Sequence, residues 1–222
     1  MMIEENLKQV LADLPKGVRL VAVSKFHPTE AIEEAYKAGQ RIFGESKVQE
    51  ITGKQEALPS DIQWHFIGHL QSNKIKYMAP YVSMIHGIDS YKLLCEVNKQ
   101  AEKVQRTIDC LLQLHVAQEE TKFGFSLEEC RNMLSMGLWK ELKNIRICGL
   151  MGMASNTNDE EQIKGEFKAL HTFFNEIKET FYANSPWFCE LSMGMSHDYR
   201  IAITEGSTLV RVGSKIFGNR IY

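Results

Sequence analysis

Cysteine is sparse and scattered: five thiols, Cys95, Cys110, Cys130, Cys148 and Cys189, with no CxxC spacing among them. That excludes a disulfide framework and a cysteine-based zinc site, and is the usage expected of reduced, buried thiols in a cytoplasmic protein. Only five prolines occur in 222 residues, and no Pro- or Ser-rich stretch offers an interdomain linker, so residues 1–222 read as a single domain. Long apolar runs are missing. None approaches the ~20 residues that span a bilayer, so no membrane partner is expected. An excess of basic charge is missing too: the formal net charge is −2, which argues against a nucleic-acid partner. The leading MMIEENLKQVLADL is acidic and amphipathic, unlike a signal peptide.

What is present is an alternation. Ile3, Leu7, Val10, Leu11 and Leu14 keep helical spacing and predict an extra N-terminal helix. After it come eight short apolar runs of strand character: RLVAVS (19–24), RIFGE (41–45), WHFIG (64–68), SMIHGI (83–88), TIDCLLQLHV (107–116), NIRICGLM (144–151), WFCELS (187–192) and TLVRV (208–212). Helical patterns or tight turns separate them. Pro28 and Gly39 bracket one helix; another, over 71–79, stops at Pro80; Ser126 and Glu129 form a capping-box pattern ahead of a third. Ile163, Phe167, Leu170, Phe174, Ile177 and Phe181 share one face of a long helix, and a short helix is expected around 196–204. The fold class is therefore α/β, a (β/α)₈ TIM-type barrel with an added N-terminal helix; an open doubly wound sheet is the rival.

In such barrels chemistry gathers where strands end. Strand one ends in Ser24-Lys25, strand two in Gly44-Glu45-Ser46, strand seven in Ser192-Met193-Gly194-Met195-Ser196 and strand eight in Arg211-Val212-Gly213-Ser214. Lys25 shares its alternation with Val21 and Val23, where a solvated lysine is unexpected; desolvation there favours the unprotonated amine that Schiff-base chemistry requires. A lysine snorkelling from the rim is the plain alternative. The loops after strands seven and eight each offer glycine followed by a hydroxyl at an expected helix start, a pattern suited to phosphate and also to ordinary capped turns. Arg211 needs a partner, either a neighbouring carboxylate or an acceptor such as a ring nitrogen. His65, His69, His86 and His115 cluster on strands three to five but lack any HxH or HExxH spacing, so no metal is expected. His86 and His115 remain candidates for lining the pocket. Met151, Met153, Met193 and Met195 border the same loops.

The segments VAVSK (21–25), FGESKVQE (43–50), WHFIGHLQSNK (64–74), GLMGM (149–153), LSMGMSHDY (191–199) and AITEGSTLVRVGSKIFGNRIY (202–222) resemble the pyridoxal phosphate homeostasis protein family, in order and over nearly the whole chain. The resemblance implies a barrel like the N-terminal domain of alanine racemase, in a cytoplasmic protein that binds pyridoxal 5′-phosphate. It implies that Lys25 is the cofactor lysine and that Arg211 faces the pyridine nitrogen. Ser192, Ser196, Gly213 and Ser214 fall in the phosphate-holding segments, and Ser46, His65 and Met193 complete the candidate cofactor set. Two departures stand out: Ser46 where the family often has Asn, and His69 where proline is common.

The resemblance further implies a role in vitamin B6 homeostasis rather than catalysis, with apo-enzymes that use pyridoxal phosphate as transient partners and a monomer as the expected state. A two-base racemase needs a second acid/base opposite the lysine, and in related racemases it comes from parts this chain lacks. The alternatives are a low-activity racemase or lyase, and a cofactor-free Schiff-base aldolase.

Overall fold

The computed structural model describes residues 2–117 and 123–219. Its elements follow in the order α1 (Met2–Ala12), β1 (Arg19–Val23), α2 (Thr29–Lys37), β2 (Ile42–Glu45), α3 (Val48–Ala57), β3 (Gln63–Phe66), α4 (Ile75–Met78), β4 (Met84–Ile88) and α5 (Tyr91–Lys103). There follow β5 (Ile108–Gln113), α6 (Leu127–Ser135), β6 (Ile145–Met151), α7 (Glu160–Phe181), β7 (Glu190–Ser192), α8 (Tyr199–Thr204), β8 (Leu209–Val212) and α9 (Ser214–Phe217). The eight strands pair in parallel and in sequence order, and β8 closes onto β1 through Arg19↔Leu209, Leu20↔Val210, Val21↔Arg211 and Ala22↔Val212. The sheet is a closed barrel, which rules out the open doubly wound alternative.

The strands read as near-continuous apolar runs because both faces are covered. Outward residues such as Ala22, Phe43, Leu150 and Leu191 meet the helices, and Ile163, Phe167, Leu170, Phe174 and Ile177 of α7 are buried against them. Each such side chain contributes about 1.5–3 kcal/mol of burial. Inward residues form a smaller cluster, Val21, Met84, Leu111, Cys148, Met151 and Leu209. Its centre is not apolar: His65, His86, Ser192 and Arg211 are buried there too.

The added helix α1 buries Leu7 and Val10 and braces the end of the chain. Asn6 Nδ2 donates to the Ile216 carbonyl of α9 at 3.1 Å, and Asp13 accepts from the Tyr199 hydroxyl and from Arg200 Nη2 at 2.9 Å. The capping box at Ser126 and Glu129 forms as expected.

Some boundaries differ from the pattern. The segment 71–79 is a 3₁₀ turn, Ser72–Lys74, running into the single turn α4. β5 stops at Gln113, with Leu114 kept only as an isolated bridge to Phe125. β7 is three residues long because a turn, closed by Phe188 N–H onto the Ser185 carbonyl, occupies the residues before it. The helix expected near 196 starts at Tyr199, since the Asp198 carboxylate takes the Met195 N–H at 2.5 Å and holds 195–198 as a turn. The last three residues of the motif 202–222 lie outside the described residues.

Candidate functional site

A pocket of about 330 Å³ opens where β1, β7 and β8 end. Lys25, two residues past β1, lines it together with Ser196, Arg211, Gly213 and Ser214, all five singled out by sequence. Ile67, Met153 and Met195 supply apolar wall, and His27 and His197 complete the polar lining.

Backbone geometry brings the two phosphate-type loops together. Ser196 Oγ accepts the Gly213 N–H at 3.1 Å, so the loops after β7 and β8 are hydrogen-bonded to each other. A Cβ at Gly213 would fit tightly, 3.0 Å from the Val23 carbonyl oxygen. At Gly194 a Cβ would come within 2.6 Å of the Ala202 Cβ, and φ is +94°. Ser214 is the first residue of α9, as expected, but Ser196 sits three residues ahead of α8 rather than at its start.

Arg211 enters the barrel from β8 and is 4% exposed. Its Nη1 donates to the Ser192 carbonyl at 2.9 Å and to Ser192 Oγ at 2.6 Å, and Nη2 donates to the Gly152 carbonyl at 3.1 Å. These acceptors are all neutral. Burial pulls the guanidinium down to about 10, partly offset by Asp198, so it remains a cation at neutral pH. Among the described residues no carboxylate forms an ion pair with it, which leaves a buried positive charge bordering the pocket.

Behind Arg211 runs a line of hydrogen bonds: His86 Nδ1 lies 3.0 Å from Ser192 Oγ, and His86 Nε2 lies 2.9 Å from His65 Nδ1. Burial pushes His65 down to about 3 and His86 well below the usual histidine range, so both rings are neutral.

Four of the sequence candidates are outside the lining. His65 borders a different pocket, of about 250 Å³, at the opposite end of the barrel among Arg19, Asp109, Arg146 and Glu190. Ser192 lies beneath Arg211 and orients it. Met193 is fully buried on the outer face of the barrel, because strand alternation turns Ser192 inward and Met193 outward. Met195 is the methionine that reaches the pocket. Ser46 packs its backbone against Gly68, where a Cβ would meet the Ser46 carbonyl at 2.3 Å. His86 is interior, and neither it nor His115 is among the lining residues. His27 and His197 were missed; position in the loops already selected was the signal available for them.

The donor set suits an anion joined to a flat aromatic group: a buried cation, two hydroxyls, soft methionines and one lysine. Residues 2–220 match the family model for the alanine racemase N-terminal domain. The chain is 39% identical to the pyridoxal phosphate homeostasis protein of Aquifex aeolicus, over 98% of each protein. It is 41% identical to that of Schizosaccharomyces pombe, over 92% of this chain and 85% of the yeast protein. PipY of Synechococcus elongatus, solved with pyridoxal phosphate bound, superposes with a TM-score of 0.87 at 36% identity, over 97% of this chain and all (100%) of PipY. Alanine racemase of Clostridium difficile shares the fold, with a TM-score of 0.77 at 12% identity, over 98% of this chain and 56% of the racemase.

Proposed function

Because the chain belongs to the alanine racemase N-terminal-domain family, and within it to the pyridoxal phosphate homeostasis proteins, we propose that it holds pyridoxal 5′-phosphate as a Schiff base on Lys25 and serves to store and release it. The observation that carries this reading is the convergence of Lys25, Arg211 and the linked Ser196–Gly213 loops on one pocket. When bound, the cofactor supplies a reactive aldehyde and an electron-withdrawing ring. The chain supplies everything else. Lys25 would provide the amine, and the two loops joined by the Gly213 N–H to Ser196 Oγ bond, with Ser214, would hold the phosphate. Met153, Met195 and Ile67 would cover the ring. Arg211, a permanent donor held from behind by Ser192, would offer its remaining N–H groups to the ring nitrogen, which would then stay an acceptor.

An acceptor nitrogen weakens the electron sink, and this favours holding the cofactor over turning over amino acids. A second reading, a low-activity racemase or lyase, draws on His27 and His197, which line the pocket with Lys25. The absorption spectrum of the purified protein, followed by borohydride reduction and peptide mapping, tests the assignment. A yellow protein with a stable pyridoxyl adduct on Lys25 is expected. An adduct chiefly on another lysine rejects it, and a colourless protein that retains reactive Lys25 points to a cofactor-free aldolase.

A further inference from the structure

A second group of charged side chains lies directly behind Lys25. Ser24 Oγ donates to Glu45 Oε1 at 2.6 Å, and Lys54 Nζ, buried on α3, donates to the same oxygen at 2.8 Å and to the Ser24 carbonyl at 2.9 Å. On the other side of Lys25, the Phe26 N–H donates to Glu50 Oε2 at 3.2 Å. Phe26 sits at φ +66°, a left-handed conformation that a bulky side chain adopts only when its surroundings impose it. Lys54 joins the two carboxylates, lying 3.6 Å from Glu50. The residues before and after Lys25 are thus both anchored to one buried cluster.

The cluster has one unfilled position. Glu45 is 0% exposed, and its Oε2 has no donor. The neighbouring carboxyl is Glu50, which shares Lys54 with Glu45: the ammonium lies 2.8 Å from Glu45 Oε1 and 3.6 Å from Glu50 Oε2, and the two carboxyls act on each other's titration. Two carboxylates cannot face each other there without a proton between them. We propose that Glu45 carries that proton and donates it to Glu50, and that the closed Glu45–Glu50–Lys54 clamp is what positions Lys25 for the cofactor. The charges then sum to zero: Lys54 is positive, Glu50 negative and Glu45 neutral.

The titration follows from the surroundings. Burial raises Glu45 to about 7, against the lowering effect of Lys54 and the Ser24 hydroxyl, while Glu50 adds to the rise. Glu50 itself is lowered: partial burial works against this, and the bonds from Glu45 and Phe26 N–H, with the charges of Lys54 and Lys47, prevail. Lys47 also stands 4.7 Å over the Phe26 ring. When the proton leaves for solvent, like charges face each other, and Glu50, the more exposed partner, swings away and releases the Phe26 N–H. Cofactor is then held less firmly as pH rises.

The cofactor half of this inference rests on the proposed function; the proton does not. Infrared spectra of cofactor-free protein should show a protonated carboxyl at about pH 6 that vanishes by about pH 8.5 and is absent in Glu45→Gln, with Glu50→Gln, altered at a partly exposed position, shifting the band. Over that interval the dissociation constant for pyridoxal phosphate should rise about tenfold more in wild type than in Glu45→Gln, which keeps only the pH dependence of the cofactor and the Lys25 amine. A missing band, or one that survives in Glu45→Gln, overturns the shared proton. A band present with the same binding profile in wild type and Glu45→Gln overturns the positioning role. No cofactor uptake at either pH overturns the cofactor reading and with it the positioning role, and the infrared band, which needs no cofactor, tells that failure apart.

Discussion

One nitrogen of Arg211, Nη1, makes two hydrogen bonds to a single residue, Ser192: 2.9 Å to its carbonyl and 2.6 Å to its hydroxyl. A guanidinium only donates, so the Ser192 hydroxyl accepts from it and must send its own proton elsewhere. The recipient in reach is His86 Nδ1 at 3.0 Å. His86, neutral, then carries its proton on Nε2 and donates it to His65 Nδ1, which leaves His65 protonated on Nε2 as well. One arginine thus sets two tautomers across the barrel.

Nitrogen-15 spectra of the histidines should therefore show both buried rings as Nε2–H tautomers, unchanged between about pH 5 and 8, because burial keeps them neutral throughout. A ring that protonates in that range contradicts the arrangement.

Ser192→Ala should cost about 1–3 kcal/mol in urea unfolding, since it strips a hydroxyl from a buried cation and leaves His86 Nδ1 without its donor. His86→Phe should cost at least as much. A loss within about 0.5 kcal/mol, the usual range of surface substitutions, would show that the line of bonds contributes little.

Phosphate should be felt at Ser196 and Ser214. The double change Ser196→Ala, Ser214→Ala should weaken pyridoxal phosphate binding by roughly tenfold or more, the loss of one to two hydrogen bonds to a charged group, and leave pyridoxal binding nearly untouched. Equal loss for both vitamers, measured by fluorescence titration, would move the phosphate elsewhere.

Stability should fall as pH rises from about 4.5 to about 7. Glu45 binds its proton more tightly folded than unfolded, so its contribution is complete below the unfolded value of 4.5 and is lost as pH passes about 7. The full loss is of order 3 kcal/mol. Thermal unfolding at about pH 5 and 8 should show most of this decline in wild type and a flatter profile in Glu45→Gln.

Turnover of amino acids should be negligible. Loaded protein given L- or D-alanine is expected to racemise it orders of magnitude below the ~10 s⁻¹ typical of enzymes. If His197 or His27 serves as a second base, a rate near that value will appear and will collapse in His197→Ala or His27→Ala.

Much of the site was legible because barrels place chemistry at strand ends, and Lys25 and Arg211 are charged residues at the ends of apolar strands. The two glycine-hydroxyl loops were legible for the same reason. Parity was harder. β7 is three residues long, and whether Met193 or Met195 faces the pocket turns on where alternation stops and the Gly194 turn begins. His65 lay on a correctly placed strand, yet its depth along the barrel axis, nearer the far opening, is a matter of register and shear that one strand does not carry. Glu45 and Lys54 were invisible as a pair because the contact joins β2 to α3 only after the barrel closes.

The brace made by α1 bears on how this protein can be handled. Asn6 grips α9 at Ile216, and Asp13 grips Tyr199 and Arg200 of α8, so the opening helix props up both short helices that follow the phosphate-type loops. Trimming those residues to tidy an expression clone, or fusing a bulky tag against them, would slacken from a distance the loops proposed to anchor the cofactor. A preparation altered at that end and found colourless would report on the cloning rather than on the protein's chemistry.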